Sequence, residues 1–238
     1  MTYREEIIGD ARLILGDCRE ILPTLPRVDA VVTDPPYMFT TASAGNGKLN
    51  PWADMVNSAV WYADMIKLCR ARLPPDGGVI WWFLNWKTLP VLQKAVFDNR
   101  WQIESLLVWD KEWIGPGGPN GLRPSYELVA LMVNEGGGLK NRGLPDIWRH
   151  QWASSRPSGH PAEKPLSLMF EIVAQSPGRS VLDPFMGSGT TGVACAKQGR
   201  PFVGIEMDDA HFDLACRRIE EAWKQPRLFE EPKPKPVQ

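Results

Sequence analysis

The stretch RSVLDPFMGSGTTGVACAKQGRPFVGIEMDDAHF, residues 179–212, limits the fold more than any other part of the chain. A short apolar run ends in Asp183, a loop carries glycines at 187, 189 and 192, a small-residue helical stretch follows, and a second apolar run ends in Glu206. Strand, glycine loop, helix and strand form a crossover between parallel neighbours, which places helices on the faces of the sheet. Gly187, Gly189 and Gly192 match GxGxxG. That spacing brings backbone close to a nucleoside cofactor, with the strand-end acid accepting from ribose hydroxyls. No lysine follows the glycines, which excludes phosphate cradling of the P-loop kind. A nicotinamide-binding domain is the rival on this motif alone. Such a domain needs several further βα units, yet the residues after the loop allow one strand and one long helix. The remaining strands must come from upstream, in a permuted order.

Upstream, apolar runs that read as strands fall near 11–16, 28–33, 78–84, 103–109 and 127–133, with two more at 180–183 and 202–206. Trp52, Met55, Val56, Ala59, Ala63 and Ile66 recur at three- and four-residue steps, predicting a helix that ends near PPDGG at 74–78. Further helices are expected near 87–98, 165–175, 190–198 and 209–224. The alternation predicts an α/β fold, a mostly parallel seven-stranded sheet with helices on both faces. A chain of 238 residues with 43% hydrophobic content supports one core, so residues 1–225 read as one domain and the proline- and charge-rich 226–238 as a disordered tail.

Ligands of such sheets bind beyond the carboxyl ends of the strands. There stands the second motif, VVTDPPYMFT at 31–40. The apolar run from Val28 to Thr33 places Asp34 at a strand tip. Pro35 and Pro36 fix two φ angles and remove two N–H donors, giving a stiff display of a carboxylate, carbonyls and the Tyr37 ring.

Three loops interrupt the pattern, at 39–52, 112–124 and 138–160. The last carries Lys140, Arg142, Arg149 and Arg156 against Asp146, with Trp148 and Trp152 interleaved. It reads either as a nucleic-acid contact or as a solvated loop whose tryptophans fold onto the core. Net charge is −1, so any nucleic-acid surface must be local. Cys18, Cys69, Cys195 and Cys216 form no CxxC pair and the histidines no metal-ligand spacing; with no membrane-length apolar run, a reducing cytoplasm and no metal are expected.

Together these residues resemble the β-arranged amino-group DNA methyltransferases, in which the catalytic motif precedes the S-adenosylmethionine loop. The match comprises Asp34-Pro35-Pro36-Tyr37, the loop Asp183-Pro184-Phe185-Met186-Gly187-Ser188-Gly189-Thr190-Thr191, HPAEKP at 160–165, Glu206, and GDC at 16–18. It covers nearly the whole chain to about residue 220. The resemblance implies a Rossmann-like methyltransferase fold with circularly permuted motif order. It implies S-adenosylmethionine held by Asp17 and Cys18 near the adenine, Glu206 on the ribose, and Lys164, Ser188 and Thr190 around the methionine portion. Asp183 is expected to orient the loop.

The substrate implied is double-stranded DNA with a flipped-out base. Asp34 and the Pro35 carbonyl would accept the two N–H groups of an exocyclic amine, and Tyr37 would stack on the ring. The initial aspartate favours adenine N6 over cytosine N4. Sequence recognition would fall to 138–160, which is shorter than many relatives' recognition domains; a short or degenerate site, or a homodimer, is expected to compensate. QPRLF, Gln225 to Phe229, reads first as a helix end packing on the core, and is also similar to peptides that bind bacterial sliding clamps. A catalytically silent DNA-binding module remains the alternative of another class.

Overall fold

The computed structural model describes residues 3–37, 51–115, 120–152 and 163–225, and for residues 51–56 the backbone alone. The expected loop 39–50, Arg156, His160 and the tail from 226 lie outside the described residues. Among those described, nine strands form one sheet: β1 (Arg4–Ile8), β2 (Ala11–Leu15), β3 (Ala30–Thr33), β4 (Val79–Leu84), β5 (Ser105–Asp110), β6 (Tyr126–Val133), β7 (Ile147–Arg149), β8 (Val181–Asp183) and β9 (Phe202–Glu206). Their spatial order is β1-β2-β9-β8-β3-β4-β6-β5-β7. The run from β2 through β9, β8 and β3 to β4 is parallel, as is β5 with β7; β1 with β2, and β6 with both β4 and β5, are antiparallel.

All seven expected strands form, and two edge strands join them. The first, REEII, is mostly exposed and has no buried stripe to betray it. It folds back on β2 through a turn at Gly9, whose φ is +56°. The other, β7, is three residues inside the basic segment 138–160.

Helices α1 (Cys18–Ile21), α2 (Pro51–Arg70) and α3 (Leu89–Asp98) cover one face; α4 (Leu166–Gln175), α5 (Thr190–Gln198) and α6 (Asp209–Lys224) cover the other. Strand β4, VIWWFL, shows why both faces are needed. Val79, Trp81 and Phe83 enter one core, Ile80, Trp82 and Leu84 the other, and each is at most 2% exposed. Each such side chain contributes roughly 1.5–3 kcal/mol by leaving water. Helix α2 ends at Arg70, short of PPDGG, because the chain tightens there: Arg72 and Leu73 donate to the carbonyls of Cys69 and Arg70 at 2.9 and 3.0 Å. Among its described side chains, the buried apolar ones are Ala59, Tyr62, Met65, Ile66 and Cys69, and three of these five lie outside the apolar stripe read from the sequence.

The functional consequence is the adjacency of β3 and β8. Both run parallel, with Ala30 opposite Val181 and Val31 opposite Leu182. Their carboxyl tips therefore deliver Asp34 and Asp183 to the same end of the sheet.

Candidate active site

A cavity of about 420 Å³ opens at that end, lined by the Asp34–Tyr37 segment, the loop from Asp183 to Thr191, and Glu127, Trp152, Glu163 and Lys164. The two strand tips are bonded to each other. Thr33 Oγ1 donates to Asp183 Oδ1 at 3.0 Å, Thr191 Oγ1 to Oδ2 at 2.6 Å, and the Phe185 amide to Oδ1 at 3.1 Å. Burial pushes the Asp183 carboxyl up to about 7; its donors oppose the shift and nearby Asp34 adds to it. Asp183 thus ties the glycine loop to the neighbouring strand.

The carbonyl of the second proline has a brace that sequence reading missed. Tyr62 of α2, fully buried, donates its hydroxyl to the Pro36 carbonyl at 3.1 Å. Asp34 Oδ2 accepts from Lys164 Nζ, while Oδ1 is buried with no hydrogen-bond partner among the described residues. Tyr37 lies alongside, its phenol pushed well up by burial and by the charges of Asp34 and Glu127. Lys164, expected around the methionine portion of the cofactor, lines the same cavity as Ser188 and Thr190 and pairs with Asp34. Glu127 Oε2 stands 3.5 Å from the same ammonium, and Lys111 Nζ donates to Glu127 Oε1 at 2.6 Å.

The glycine loop turns through Gly187 and Gly189, with φ of +51° and +81°. A Cβ at Gly187 would meet nothing within 4 Å, so the backbone there borders open space. At Gly189 a Cβ would come within 2.9 Å of Ala215 Cβ, so α6 packs directly on the loop. From α6, Arg218 donates to the Ser188 carbonyl at 2.6 Å, to Ser188 Oγ at 2.9 Å and to Thr190 Oγ1 at 3.3 Å, and pairs with Glu163. Glu206 closes β9, where its carboxylate accepts the amides of Gly187, Met207 and Asp208 at 2.9 Å each. The Gly16 amide donates to the Glu206 carbonyl at 2.8 Å, which sets Asp17 at the neighbouring tip. Asp17 caps α1 and is held below the usual carboxylate range by the Arg19 guanidinium. Cys18 turns inward, its thiol packed in the core and pushed up to about 12 by burial; Asp17, Cys18 and Glu206 all lie outside the lining of the cavity. Pro184 is in the loop as read, Thr191 stands in the first turn of α5, and Phe185 packs against Trp61 at 5.6 Å.

The basic cluster is not brought together. Strand β7 runs parallel to β5 and carries the chain from one end of the sheet to the other. Arg149, opposite Asp110, therefore lies at the cavity end, whereas Lys140 and Arg142 remain at the far end, where Arg142 borders a separate cavity with Ser105, Val133 and Glu135. The tryptophans fold onto the core: Trp148 is buried, and Trp152 stacks between Trp109 and Trp113 at 5.7 and 6.1 Å. The described residues contain no cluster able to hold a metal ion, no disulfide, and no helix long and apolar enough to cross a membrane.

Glu127 and Arg218 are the site residues that sequence reading missed. Glu127 had a signal, as the one charge in the apolar run YELVALMV. Arg218 had none, because a basic residue on a surface helix is ordinary until the packing of α6 on Gly189 is known.

A family model described as DNA methylase, of the N6/N4 methyltransferase type, matches residues 134–217. The type II methyltransferase M2.MboI of Moraxella bovis is 27% identical over 254 residues, covering 92% of this chain and 91% of its own. Among solved structures, the M1.HpyAVI–SAM complex superposes with a TM-score of 0.67 at 26% identity, covering 87% of this chain and 99% of that one. The cytosine-N4-specific PvuII DNA methyltransferase superposes with a TM-score of 0.71 at 17% identity, covering 89% and 86%, a likeness of fold. With strand tips, glycine loop and Asp-Pro-Pro-Tyr motif meeting in one cavity, the chain is similar to the N6/N4 DNA methylases in sequence and in fold.

Proposed function

We propose that this protein transfers a methyl group from S-adenosylmethionine to the N6 amino group of an adenine flipped out of duplex DNA. The observation that carries the reading is Asp34 Oδ1, a buried carboxylate oxygen with no partner among the described residues, held beside the glycine loop by the bond between Thr33 and Asp183.

The residues suit the cofactor. Glu206 and Asp17, on adjacent strand tips, offer carboxylates to a nucleoside's hydroxyl and amino groups, and the open space at Gly187 admits a ligand against backbone. Ser188 and Thr190, braced by Arg218, face the remainder. When bound, S-adenosylmethionine supplies a methyl on a sulfonium, and the electron pair of the broken C–S bond returns to sulfur.

This chain's residues prepare the acceptor. The lone pair of an exocyclic amine is delocalised into its ring, so the nitrogen is a weak nucleophile. Asp34 Oδ1 and the Pro35 carbonyl each accept one N–H, favouring a tetrahedral nitrogen whose lone pair points at the methyl. As the N–C bond forms, one amine proton leaves toward Asp34. The rigid Pro35-Pro36 backbone, with the Pro36 carbonyl fixed by Tyr62, keeps this geometry without reorganisation. Tyr37 offers its ring as the stacking face for the extruded base. Arg149, at the cavity end of β7, is the described basic residue best placed to meet phosphate.

The test is direct. DNA of mixed sequence incubated with labelled S-adenosylmethionine, then digested to nucleosides, should carry label in N6-methyladenine. Asp34→Ala should bind the cofactor as wild type does and transfer nothing. Label in N4-methylcytosine would move the substrate to cytosine, and label on a ring carbon would refute the amine mechanism.

A further inference from the structure

We propose that Glu127, backed by Lys111, is a positioning residue for the methyl acceptor: it holds Lys164 on one oxygen of Asp34 so that the other faces the cavity. The inference rests on the amino-methyltransferase reading above and moves Lys164 from the cofactor side of the site to the acceptor side.

Four charged groups alternate in sign along a buried line: Lys111, Glu127, Lys164, Asp34. Lys164 side-chain exposure is 8% and that of Glu127 is 15%, so both charges are largely withdrawn from solvent. The Lys164 ammonium meets oxygens of Asp34 and Glu127 and the rings of Tyr37 and Phe83 at 5.7 and 5.3 Å. Burial alone would lower its pKa; Asp34 and Glu127 outweigh burial and raise it. Burial likewise raises the Glu127 carboxyl, and Lys164 and Lys111 bring it below its ordinary value. Both groups are therefore ionised, each because of the other. Lys111 is itself seated over Trp109 and Trp152 at 5.2 and 4.6 Å, which fixes the far end of the line.

The geometry sets the consequence. An ammonium on Oδ2 fixes the rotation of the Asp34 carboxylate and leaves Oδ1 as its one open acceptor. Lys164 immediately precedes the Pro165 cap of α4, so its backbone is fixed and its long side chain needs a second anchor to stay on Oδ2. Glu127, on β6, is that anchor through charge alone: its Oε2 is buried 3.5 Å from the ammonium and has no hydrogen-bond partner among the described residues.

The test compares cofactor binding with turnover in the full chain, using calorimetry with S-adenosylmethionine and steady-state methylation of mixed-sequence DNA. Glu127→Gln and Lys164→Met should each lower kcat by about tenfold to a hundredfold, the scale of one charge-assisted contact, with cofactor Kd within about twofold of wild type. In a Lys164→Met background, adding Glu127→Gln should cost less than about twofold, because the residue it anchors is gone. The proposal is overturned if Lys164→Met weakens cofactor binding about tenfold, if Glu127→Gln turns over like wild type, or if it costs the same factor with and without Lys164. Should Glu127→Gln fail to fold, Glu127→Asp keeps the charge but withdraws it from Lys164; it should lower kcat with unchanged cofactor affinity, and wild-type turnover would overturn the proposal. A wild-type protein that methylates no exocyclic amine, or an Asp34→Ala variant that still does, would instead refute the underlying function.

Discussion

Replacing Thr33 by valine tests the junction that brings the two strand tips together. The side chains are nearly alike in shape, so the change removes one hydroxyl donating to Asp183 Oδ1 at 3.0 Å, with both residues buried. The cost depends on the charge of the acceptor. A bond to a neutral partner contributes about 1 kcal/mol, and one to an ionised partner about 1.5–3 kcal/mol. Asp183 has a folded pKa raised to about 7, against roughly 3.9 in the unfolded chain. Between those values the folded state keeps a proton that the unfolded chain has lost, so its contribution to stability falls as pH rises, by up to about 1.4 kcal/mol per unit, and levels off above the folded value. Thr33→Val removes a donor that favours the carboxylate, so the folded pKa rises further and the falling limb extends to higher pH. The variant should lose about 1 kcal/mol near pH ~5.5 and about 1.5–3 kcal/mol near pH ~8.5. For a domain of this size each kcal/mol moves Tm by about 2–4 °C. Urea melts of both proteins at the two pH values measure the difference directly. Equal losses at both, or none, would refute the account of Asp183 as a buried carboxyl shared between the tips.

Gly189→Ala should be among the most damaging small changes in the chain. A left-handed alanine costs about 1–2 kcal/mol and its overlap with Ala215 about 1–3 kcal/mol, and any retreat of α6 draws Arg218 from Ser188, so urea melts should show the stability loss and calorimetry a weaker cofactor Kd. Arg149→Ala should leave stability within about 0.5 kcal/mol, because its pairing with Asp110 is exposed and 3.5 Å long. It should lower DNA affinity and flatten the dependence of log K on log salt by about 1, and an unchanged slope would move the DNA to another face.

How much of this was legible in the sequence depended on whether a feature is local. The seven strands and five long helices carry their own periodicity, and Asp34, Asp183 and Glu206 end apolar runs, so their places at strand tips follow from the runs themselves. What the sequence did not show needed the third dimension. The basic residues of 138–160 are close in sequence, yet β7 crosses the sheet between Arg142 and Arg149 and parts them. Lys164 was read from its motif as a cofactor contact, and its alternation of charge with Glu127 and Lys111 arises only when β6 is packed beside β3's neighbour β4. Arg200 gave no signal either. It is buried and spends its guanidinium on five carbonyls, those of Val173, Ser176, Pro177, Gly178 and Arg179, closing the end of α4. A lone arginine in a turn carries no mark of that.

The central claim is that one tip holds the acceptor amine while its neighbour presents the donor carbon. A crystal structure of the protein with S-adenosylhomocysteine tests it most directly, since the sulfur marks where the methyl would stand. The account expects that methyl position to lie within about 3–3.5 Å of an amine nitrogen hydrogen-bonded to Asp34 Oδ1. A sulfur directed away from Asp34, or seated in the far cavity beside Arg142, would contradict it.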